Sequence, residues 1–286
     1  MSSTAVSNSA IIAEIPAEIY MISACMDNQD AENVSNTSEF DLPNAAGPSG
    51  SACTSAFLEV NYADKQKPTT DVSWLDTLNG MRQKFQQDGF AQITQLSSSR
   101  LIDVQKPVSF VPTNSNGCKR AVLIGINYVG QSKALTGSHN DVLNMKEYLI
   151  DACQFNALNI HVLMDDGTST NPTRQNITSA LSTLVQSSKA GDVSVIHYSG
   201  HGDQLPSQTN PDGYDDTICP VDFTTAGEIR DVELYDTVVT NIAKGVYLSC
   251  LFDCYHSGSM LNLPYMCAGN GTTTNMVVNP DFILSP

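Results

Sequence analysis

The stretch Asp192-Val-Ser-Val-Ile-His-Tyr-Ser-Gly-His-Gly202 decides the fold. It is largely apolar and ends abruptly in Ser199-Gly-His-Gly202. This pattern predicts a buried strand at 192–198 that delivers His201 onto a glycine-flanked turn. In open α/β sheets, catalytic groups collect where parallel strands end, because loops and helix N-termini converge at that edge. His201 is therefore a candidate functional residue.

A second strand of the same kind is predicted at 246–252, and it is followed by Asp253-Cys-Tyr-His-Ser-Gly258. A histidine at one strand end and a thiol at the next can perform acyl transfer, with imidazole as the base and thiolate as the nucleophile. Backbone N–H groups of a glycine-flanked turn can hold the oxyanion. The two strand ends together predict a cysteine hydrolase. A purely structural role is the alternative for His201, and it is the favoured reading for His256.

The composition limits the class of partner. The 286 residues include 14 lysines and arginines against 30 aspartates and glutamates, a net charge of −16. This balance disfavours nucleic acids and anionic membranes, which need clustered cations, and favours metal ions or basic peptides. Solubility alone is an equally good explanation of the charge. No apolar run of membrane-spanning length and no secretory signal is evident, so we expect a cytoplasmic protein with reduced thiols, and a monomer.

The order of predicted elements indicates the fold class. Strand and helix patterns alternate without hairpin signals, which favours an α/β fold with a mainly parallel sheet. The predicted strands are 18–26, 90–96, 120–127, 159–164, 192–198 and 246–252. The predicted helices are about 52–62, 71–88 with Asp71 as its cap, 139–152, 173–188 and 231–243. A polar loop is expected at 28–52, a proline-rich linker at 103–119 and an acidic loop at 203–216.

Both strand ends resemble the two catalytic segments of metacaspases, the caspase-like cysteine peptidases of plants, fungi and protists. The matching segments are 197–202 and 252–265. Other stretches that resemble the family are 120–128, 135–142, 214–223, 21–29, 52–57 and 95–100. The resemblance implies a caspase-like fold, in which a mainly parallel six-stranded sheet is flanked by helices.

The order of the two regions resembles the type III metacaspases of algae, in which the small-subunit-like region comes first. The implied organisation is a small-subunit-like region at 1–106, a linker at 107–119 and a large-subunit-like region at 120–286. Both regions would build one caspase-type domain, with strand 18–26 beside strand 246–252. Such reordering is physically reasonable, because chain termini at a sheet edge can be reconnected without changing its contacts.

The resemblance assigns His201 as the catalytic base, and it places Tyr255 where the family has its nucleophilic cysteine. Cys254 fills the preceding position, and Asp253 stays in register with the family's aspartate. Neighbouring residues at a strand end point to opposite sides, so we expect Cys254 to face away from His201. A phenol has a reference pKa of about 10 and is bulkier than a thiol, so Tyr255 replaces a thiolate poorly.

Three explanations stay open for Tyr255. The protein is a natural pseudoenzyme, or the chain carries an inactivating substitution, or Cys254 serves as the nucleophile through a locally altered turn. The first two predict a catalytically impaired protein that still binds basic peptides. The third predicts an active cysteine endopeptidase that uses Cys254 with His201.

The resemblance also implies two ligand sites. A pocket for an arginine or lysine side chain would be lined by Asp253, Asp141, Ser199 and Ser138, since carboxylates pair well with guanidinium. Asp141 has an alternative role as a first-turn helix residue that the helix dipole favours. A calcium site would use Asp215 and Asp231, and Glu233 or Asp216 could supplement them. It would be weak, because Val232 and Asn262 stand where the family commonly has aspartate, and a solvated acidic loop is the alternative.

Overall fold

A mixed sheet of eight strands forms the centre of the described structure. The computed structural model describes residues 15–25, 33–34, 40, 42, 46–62, 72–112, 115–208, 210, 213–280 and 282. The strands are β1 (Glu18–Ser23), β2 (Asn33–Val34), β3 (Gly50–Ser51), β4 (Gln95–Ser98), β5 (Lys119–Gly125), β6 (Ile160–Met164), β7 (Val193–Ser199), β8 (Gly202–Pro206), β9 (Tyr214–Ile218), β10 (Ile229–Arg230), β11 (Tyr247–Asp253), β12 (Tyr265–Ala268) and β13 (Val277–Val278). The helices are α1 (Ala52–Tyr62), α2 (Trp74–Gln87), α3 (Ser138–Asp151), α4 (Arg174–Ser187), α5 (Phe223–Ala226) and α6 (Asp231–Leu234).

The strand order of the large sheet is β13-β12-β4-β1-β11-β7-β5-β6. The pairs β1–β11, β11–β7, β7–β5 and β5–β6 are parallel, whereas β4 and the strands beyond it pair antiparallel. The N-terminal strand β1 therefore lies inside the sheet beside β11, as predicted. Sheets of this kind bury both faces, which explains the nearly continuous apolar sequence of β5, β7 and β11.

Two apolar layers cover the sheet. Alternate residues of each strand point to opposite faces. On one face, residues such as Leu123 and Leu251 pack against α1, α2 and α3. On the other face, residues such as Ile124 and Phe252 pack against α4 and the segment that starts with α6. Within the described ranges, no helix is long and apolar enough to cross a membrane.

The structure confirms the α/β class and the mainly parallel sheet, but the predicted strand count of six is wrong. All six predicted strands are present, although 90–96 is shifted to β4. The described sheet adds β12 and β13, which are four and two residues long and carry little periodic signal. Alternation of apolar and polar residues over two to four positions is too short to distinguish a strand from a loop, so the sequence does not predict these two strands.

Three local predictions need correction. Helix α2 begins at Trp74 and is capped by Ser73, whose hydroxyl accepts the N–H of Asp76 at 3.0 Å; the predicted cap Asp71 lies outside the described residues. The acidic loop 203–216 contains an antiparallel hairpin of β8 and β9. The predicted helix 231–243 is α6 followed by the π-helical turn Tyr235–Val239. Most of the predicted loop 28–52 lies outside the described residues.

Candidate functional site

The two predicted strand ends meet at one edge of the sheet. Strands β7 and β11 are parallel neighbours, and Ser199 is in register with Asp253. The turns that follow them touch, since a Cβ atom added to Gly202 would lie 2.1 Å from the carbonyl oxygen of Tyr255. Only glycine allows this backbone approach. His201 and the 253–257 turn therefore belong to one site.

Two tyrosines hold the backbone of His201. Tyr128 and Tyr198 are both buried, and their hydroxyl groups are 3.3 Å apart. The hydroxyl of Tyr128 accepts the N–H of His201 at 2.9 Å, and the hydroxyl of Tyr198 donates to the carbonyl of His201 at 2.7 Å. The ring of Tyr128 also stacks on the imidazole, with centroids 4.5 Å apart. These contacts fix both the main chain and the ring plane of His201.

The loop after β5 fixes the tautomer of His201. The Nε2 atom lies 2.7 Å from the carbonyl oxygen of Lys133. A carbonyl oxygen can only accept, so Nε2 carries the proton and donates it. In the neutral ring, Nδ1 is then the nitrogen with a free lone pair. Nδ1 is therefore the ring nitrogen of His201 that could accept a proton.

Cys254 lies in the apolar layer on the α4 side of the sheet. Its exposed fraction is 2%, and its neighbours in this layer include Phe252 and Cys250. Burial raises the pKa of the Cys254 thiol well above its usual value. Within the described residues, no hydrogen bond joins this thiol to His201. Tyr255, in contrast, is 36% exposed at the turn beside Gly202.

The backbone of the 253–257 turn contacts a second thiol. Cys25, which follows β1, donates to the carbonyl oxygen of Cys254 at 3.6 Å. Burial raises the pKa of Cys25 to about 11, although hydrogen bonds from Ser257 and from the His256 backbone oppose this rise. His256 has a φ of 51°, a left-handed conformation that residues with side chains seldom adopt. The N-terminal region thus packs directly under the predicted nucleophile position.

Asp141 and Asp253 come together from α3 and β11, as the predicted pocket requires. Their exposed fractions are 1% and 4%. The N–H of Ser51 donates to Oδ1 of Asp141 at 3.0 Å, and the hydroxyl of Ser199 donates to its Oδ2 at 2.8 Å. Burial first, and the charge of Asp253 second, raise the pKa of Asp141 to about 7. Ser138, the fourth predicted residue, is buried at the first position of α3, one turn before Asp141.

Asp253 receives its hydrogen bonds from the N-terminal region. The hydroxyl group of Ser51 and both the N–H and the hydroxyl of Thr54 donate to its Oδ2 atom. Burial raises the pKa of Asp253, while these donors oppose the rise. Thr54 Oγ1 also accepts Nε2–H of His197 at 3.1 Å. Burial lowers the pKa of His197 to about 3, so this histidine is neutral at physiological pH.

Two of the three predicted calcium ligands lie near each other. Burial, with the charge of Asp215 as a further cause, raises the pKa of Asp231 to about 6. Asp215 is paired with Arg230 at 2.5 Å. Glu233 instead pairs with Arg174 at 2.5 Å. In the described ranges, no group of three or more histidine, cysteine, aspartate or glutamate side chains is placed to hold a metal ion. Asp215 and Asp231 therefore lie together, whereas the carboxylate of Glu233 pairs with Arg174.

Sequence reasoning did not identify Ser51, Thr54, Tyr128 or the carbonyl of Lys133 as parts of the site. Tyr128 follows a predicted strand directly, so the same strand-end argument that selected His201 could have found it. Ser51 and Thr54 stand three apart at the start of a predicted helix, a pattern that usually indicates a helix cap. Their carboxylate partner lies 202 and 199 positions away, which no local pattern reports.

The chain matches known proteins over most of its length. Residues 119–264 match the family model of the metacaspase, peptidase C14 domain. Metacaspase III c of Phaeodactylum tricornutum is 44% identical over 272 residues, which are 94% of this chain and 81% of the relative. Metacaspase-1A of Neurospora crassa is 42% identical over 166 residues, 57% of this chain but 37% of the relative. A crystal structure of a Geobacter sulfurreducens protein superposes with a TM-score of 0.40 at 28% identity, covering 51% of this chain and 53% of that one.

Proposed function

This chain belongs to the metacaspase family of caspase-like cysteine peptidases, and from that premise we propose that it is a catalytically impaired member that binds basic peptides. The observation that carries the proposal is the state of Cys254. Its thiol is buried in an apolar layer, its pKa is raised, and it makes no hydrogen bond to His201 within the described residues. A nucleophilic cysteine needs an accessible thiolate, which such surroundings disfavour.

Two features would serve a cysteine at position 255. The Nδ1 lone pair of His201 is available, because its Nε2–H donates to the carbonyl oxygen of Lys133. The turn that carries Tyr255 lies directly against Gly202. A thiol at position 255 would therefore stand at the turn beside the base, while a phenol there is a poor nucleophile at neutral pH. The type III arrangement of the two regions is part of the same proposal, and it is supported by the pairing of β1 with β11.

Peptide turnover tests the impairment. The full chain is incubated with a fluorogenic peptide that has arginine at the cleavage position, alongside Tyr255→Cys, Cys254→Ala and the double variant Tyr255→Cys, His201→Ala. We expect no turnover by the parent chain, turnover by Tyr255→Cys, and its loss when His201 is also replaced. Removal of a catalytic base costs about 10²-fold or more. Circular dichroism checks that each variant is folded.

The opposite result is equally clear. Turnover by the parent chain that disappears in Cys254→Ala would contradict the proposal, and it would identify an active endopeptidase that uses Cys254 with His201. The buried position of this thiol is the observation that weighs against that second candidate.

Recognition of basic side chains is assigned to Asp253 and Asp141. Within the described residues, neither carboxylate forms an ion pair, so the pair retains its attraction for a cation. Two buried carboxylates without a cation are costly, and a guanidinium offsets that cost. Binding is measured by fluorescence anisotropy with a labelled peptide that contains one arginine, and with the same peptide carrying citrulline instead. We expect preference for arginine, and loss of that preference in Asp253→Asn.

A weak calcium site is the cofactor proposal. Asp215 and Asp231 would be the ligands, because both carboxylates are buried and the charge of Asp215 acts on Asp231. Arg230 already neutralises Asp215, so we expect dissociation constants near the millimolar range of extracellular calcium modules, about 10⁻⁴–10⁻³ M. Calorimetric titration with calcium chloride tests it. Binding that persists unchanged in Asp231→Asn would contradict the assignment.

A further inference from the structure

We propose that Ser51 and Thr54 are positioning residues for the cation site: they hold the carboxylate of Asp253 in its charged form and direct its Oδ1 atom toward the basic side chain. This inference rests on the proposed function and deepens it. It makes the recognition site a composite of the two regions of the chain, since both residues precede residue 60 and both carboxylates follow residue 140.

The two carboxylate oxygen atoms of Asp253 have different hydrogen-bond surroundings. Three donors converge on Oδ2: the hydroxyl of Ser51, the N–H of Thr54 at 2.7 Å and the hydroxyl of Thr54 at 2.6 Å. Within the described residues, no group donates to Oδ1. A carboxylate held by three donors on one oxygen has a fixed orientation, and the other oxygen is left to a ligand.

Ser51 also joins the two carboxylates. Its hydroxyl donates to Asp253, while its N–H donates to both oxygens of Asp141, at 3.0 and 3.2 Å. Two buried carboxylates repel each other when both are ionised. A residue that donates to each of them opposes this repulsion and links the two carboxylates. The backbone of this segment is held in turn, because Gly50 packs directly on Gly137.

In the part of the chain that the structure describes, no group near the pair supplies positive charge. The neighbouring titratable groups are His197 on β7, Cys53 on α1, and Cys25 and Cys254 beside the turn. Burial lowers the pKa of His197 and raises the pKa of each of these thiols, so all four are neutral at pH 7. The hydroxyl and N–H donors of Ser51, Thr54 and Ser199 are therefore what favours the charged carboxylates.

The direction of the pH effect follows from these contacts. Burial raises the pKa of both carboxyl groups, and the donors oppose this. Removing a donor raises the pKa of Asp253 further, so a larger fraction is protonated at neutral pH and less can bind a cation. Binding of a basic peptide should then require a higher pH.

Thr54→Val tests the inference, because valine keeps the shape of threonine and removes the hydroxyl. Anisotropy with the labelled arginine peptide is measured on the full chain from pH 5.5 to 9. We expect Thr54→Val to weaken binding about ten-fold or more at pH 7, since it removes a hydrogen bond to a charged group. The pH midpoint of binding should also move upward.

Thr54→Ser is the matched control, because it retains the hydroxyl and should bind with nearly parental affinity and pH midpoint. Ser51→Ala is a second test that keeps the N–H bond to Asp141, and it serves if Thr54→Val does not fold. The ¹³C carboxyl shift of Asp253, assigned by comparison with Asp253→Asn, reports the same change in pKa without any peptide.

The possible outcomes distinguish a failure of this inference from a failure of the proposed function. Arginine-selective binding that is unchanged in Thr54→Val and Ser51→Ala, in affinity and in pH midpoint, overturns the inference and leaves the proposed function intact. A parent chain that does not distinguish arginine from citrulline overturns the proposed function. In that case the carboxyl shifts still decide whether Ser51 and Thr54 control the charge of Asp253.

Discussion

At the scale of single residues, Tyr128 stands out because its backbone and its ring both serve His201. Its φ of 51° is a conformation that costs a bulky residue on the order of 1 kcal/mol or more. The fold accepts this cost where the ring stacks on the imidazole and the hydroxyl holds the His201 N–H. Strain of this kind is typical of functional sites rather than of simple cores.

Replacement of Tyr128 by leucine should therefore alter the imidazole of His201. Leucine removes both the ring that stacks on the imidazole and the hydroxyl that accepts the His201 N–H, so the imidazole should lose its fixed ring plane. Proton and nitrogen NMR of the histidine side chains at one fixed pH compares the His201 ring shifts in the parent chain and in Tyr128→Leu, in which the ring-current shift from Tyr128 should be lost.

Tyr198→Phe is the matched control for this experiment, because Tyr198 contacts His201 through its hydroxyl and the His201 backbone carbonyl rather than through the ring. It should leave the ring shifts of His201 unchanged. Identical His201 ring shifts in Tyr128→Leu and the parent chain would contradict the stacking of Tyr128 on the imidazole.

Residue chemistry explains which parts of the site could be predicted. Asp253 ends a buried strand and His201 lies just beyond one, and a charged or titratable group at such a place needs a partner, so the sequence alone indicates them. The buried position of Cys254 follows from the alternation of side chains along β11, because Cys254 continues the face that Cys250 and Phe252 form. Ser51 and Thr54 could not be predicted, because small hydroxyl residues are common and only the folded chain brings them to Asp253.

At the scale of elements, the site depends on close contact between the turns after β7 and β11. Gly202→Ala places a methyl group 2.1 Å from the carbonyl oxygen of Tyr255. The two turns must separate, and forced separation in a packed region costs about 1–3 kcal/mol or more. For a chain of this size, we expect a fall in melting temperature of about 2–4 °C per kcal/mol, measured by thermal unfolding.

Gly130→Ala serves as the control, since its Cβ would meet nothing within 4 Å. Its φ of 81° still imposes local strain, but the variant should leave the two strand ends in contact. Gly202 has no positive φ, so its destabilisation would come from the contact with Tyr255; a melting temperature of Gly202→Ala no lower than that of Gly130→Ala would contradict this contact.

Elements with a long periodic pattern were predicted well, and those without one were not. Helix α3 and strand β7 lie within one residue of their predicted bounds, because each buries a continuous apolar face. The hairpin of β8 and β9 was missed because its strands contain Asp203, Asp215 and Asp216, residues that are depleted in strands. Pairing with a neighbour, rather than propensity, makes these segments extended.

At the scale of the whole molecule, the net charge of −16 is the dominant electrostatic feature. Self-repulsion of like charges destabilises the folded state, and salt screens it as the Debye length falls from about 30 Å at 0.01 M to about 8 Å at 0.15 M. We therefore expect sodium chloride at about 0.15 M to raise the melting temperature by roughly 2–4 °C, which corresponds to about 1 kcal/mol.

Choline chloride at the same ionic strength is the control that distinguishes screening of the net charge from specific binding of sodium ions. It should give nearly the same rise, because screening depends on ionic strength and not on the cation. Partly buried ion pairs such as Arg120–Asp192 should be screened little. A melting temperature that falls with added salt would indicate that attractive pairs outweigh the general repulsion.

The position of β1 within the sheet has a consequence for biosynthesis. On the ribosome this strand is translated before the strands that flank it, and one of those two neighbours, β11, is encoded more than two hundred codons downstream. At 5–20 residues per second, the nascent chain carries a half-paired apolar strand for on the order of ten seconds. Chaperones that shield exposed strand edges should therefore govern how much of this protein reaches its native state in the cell.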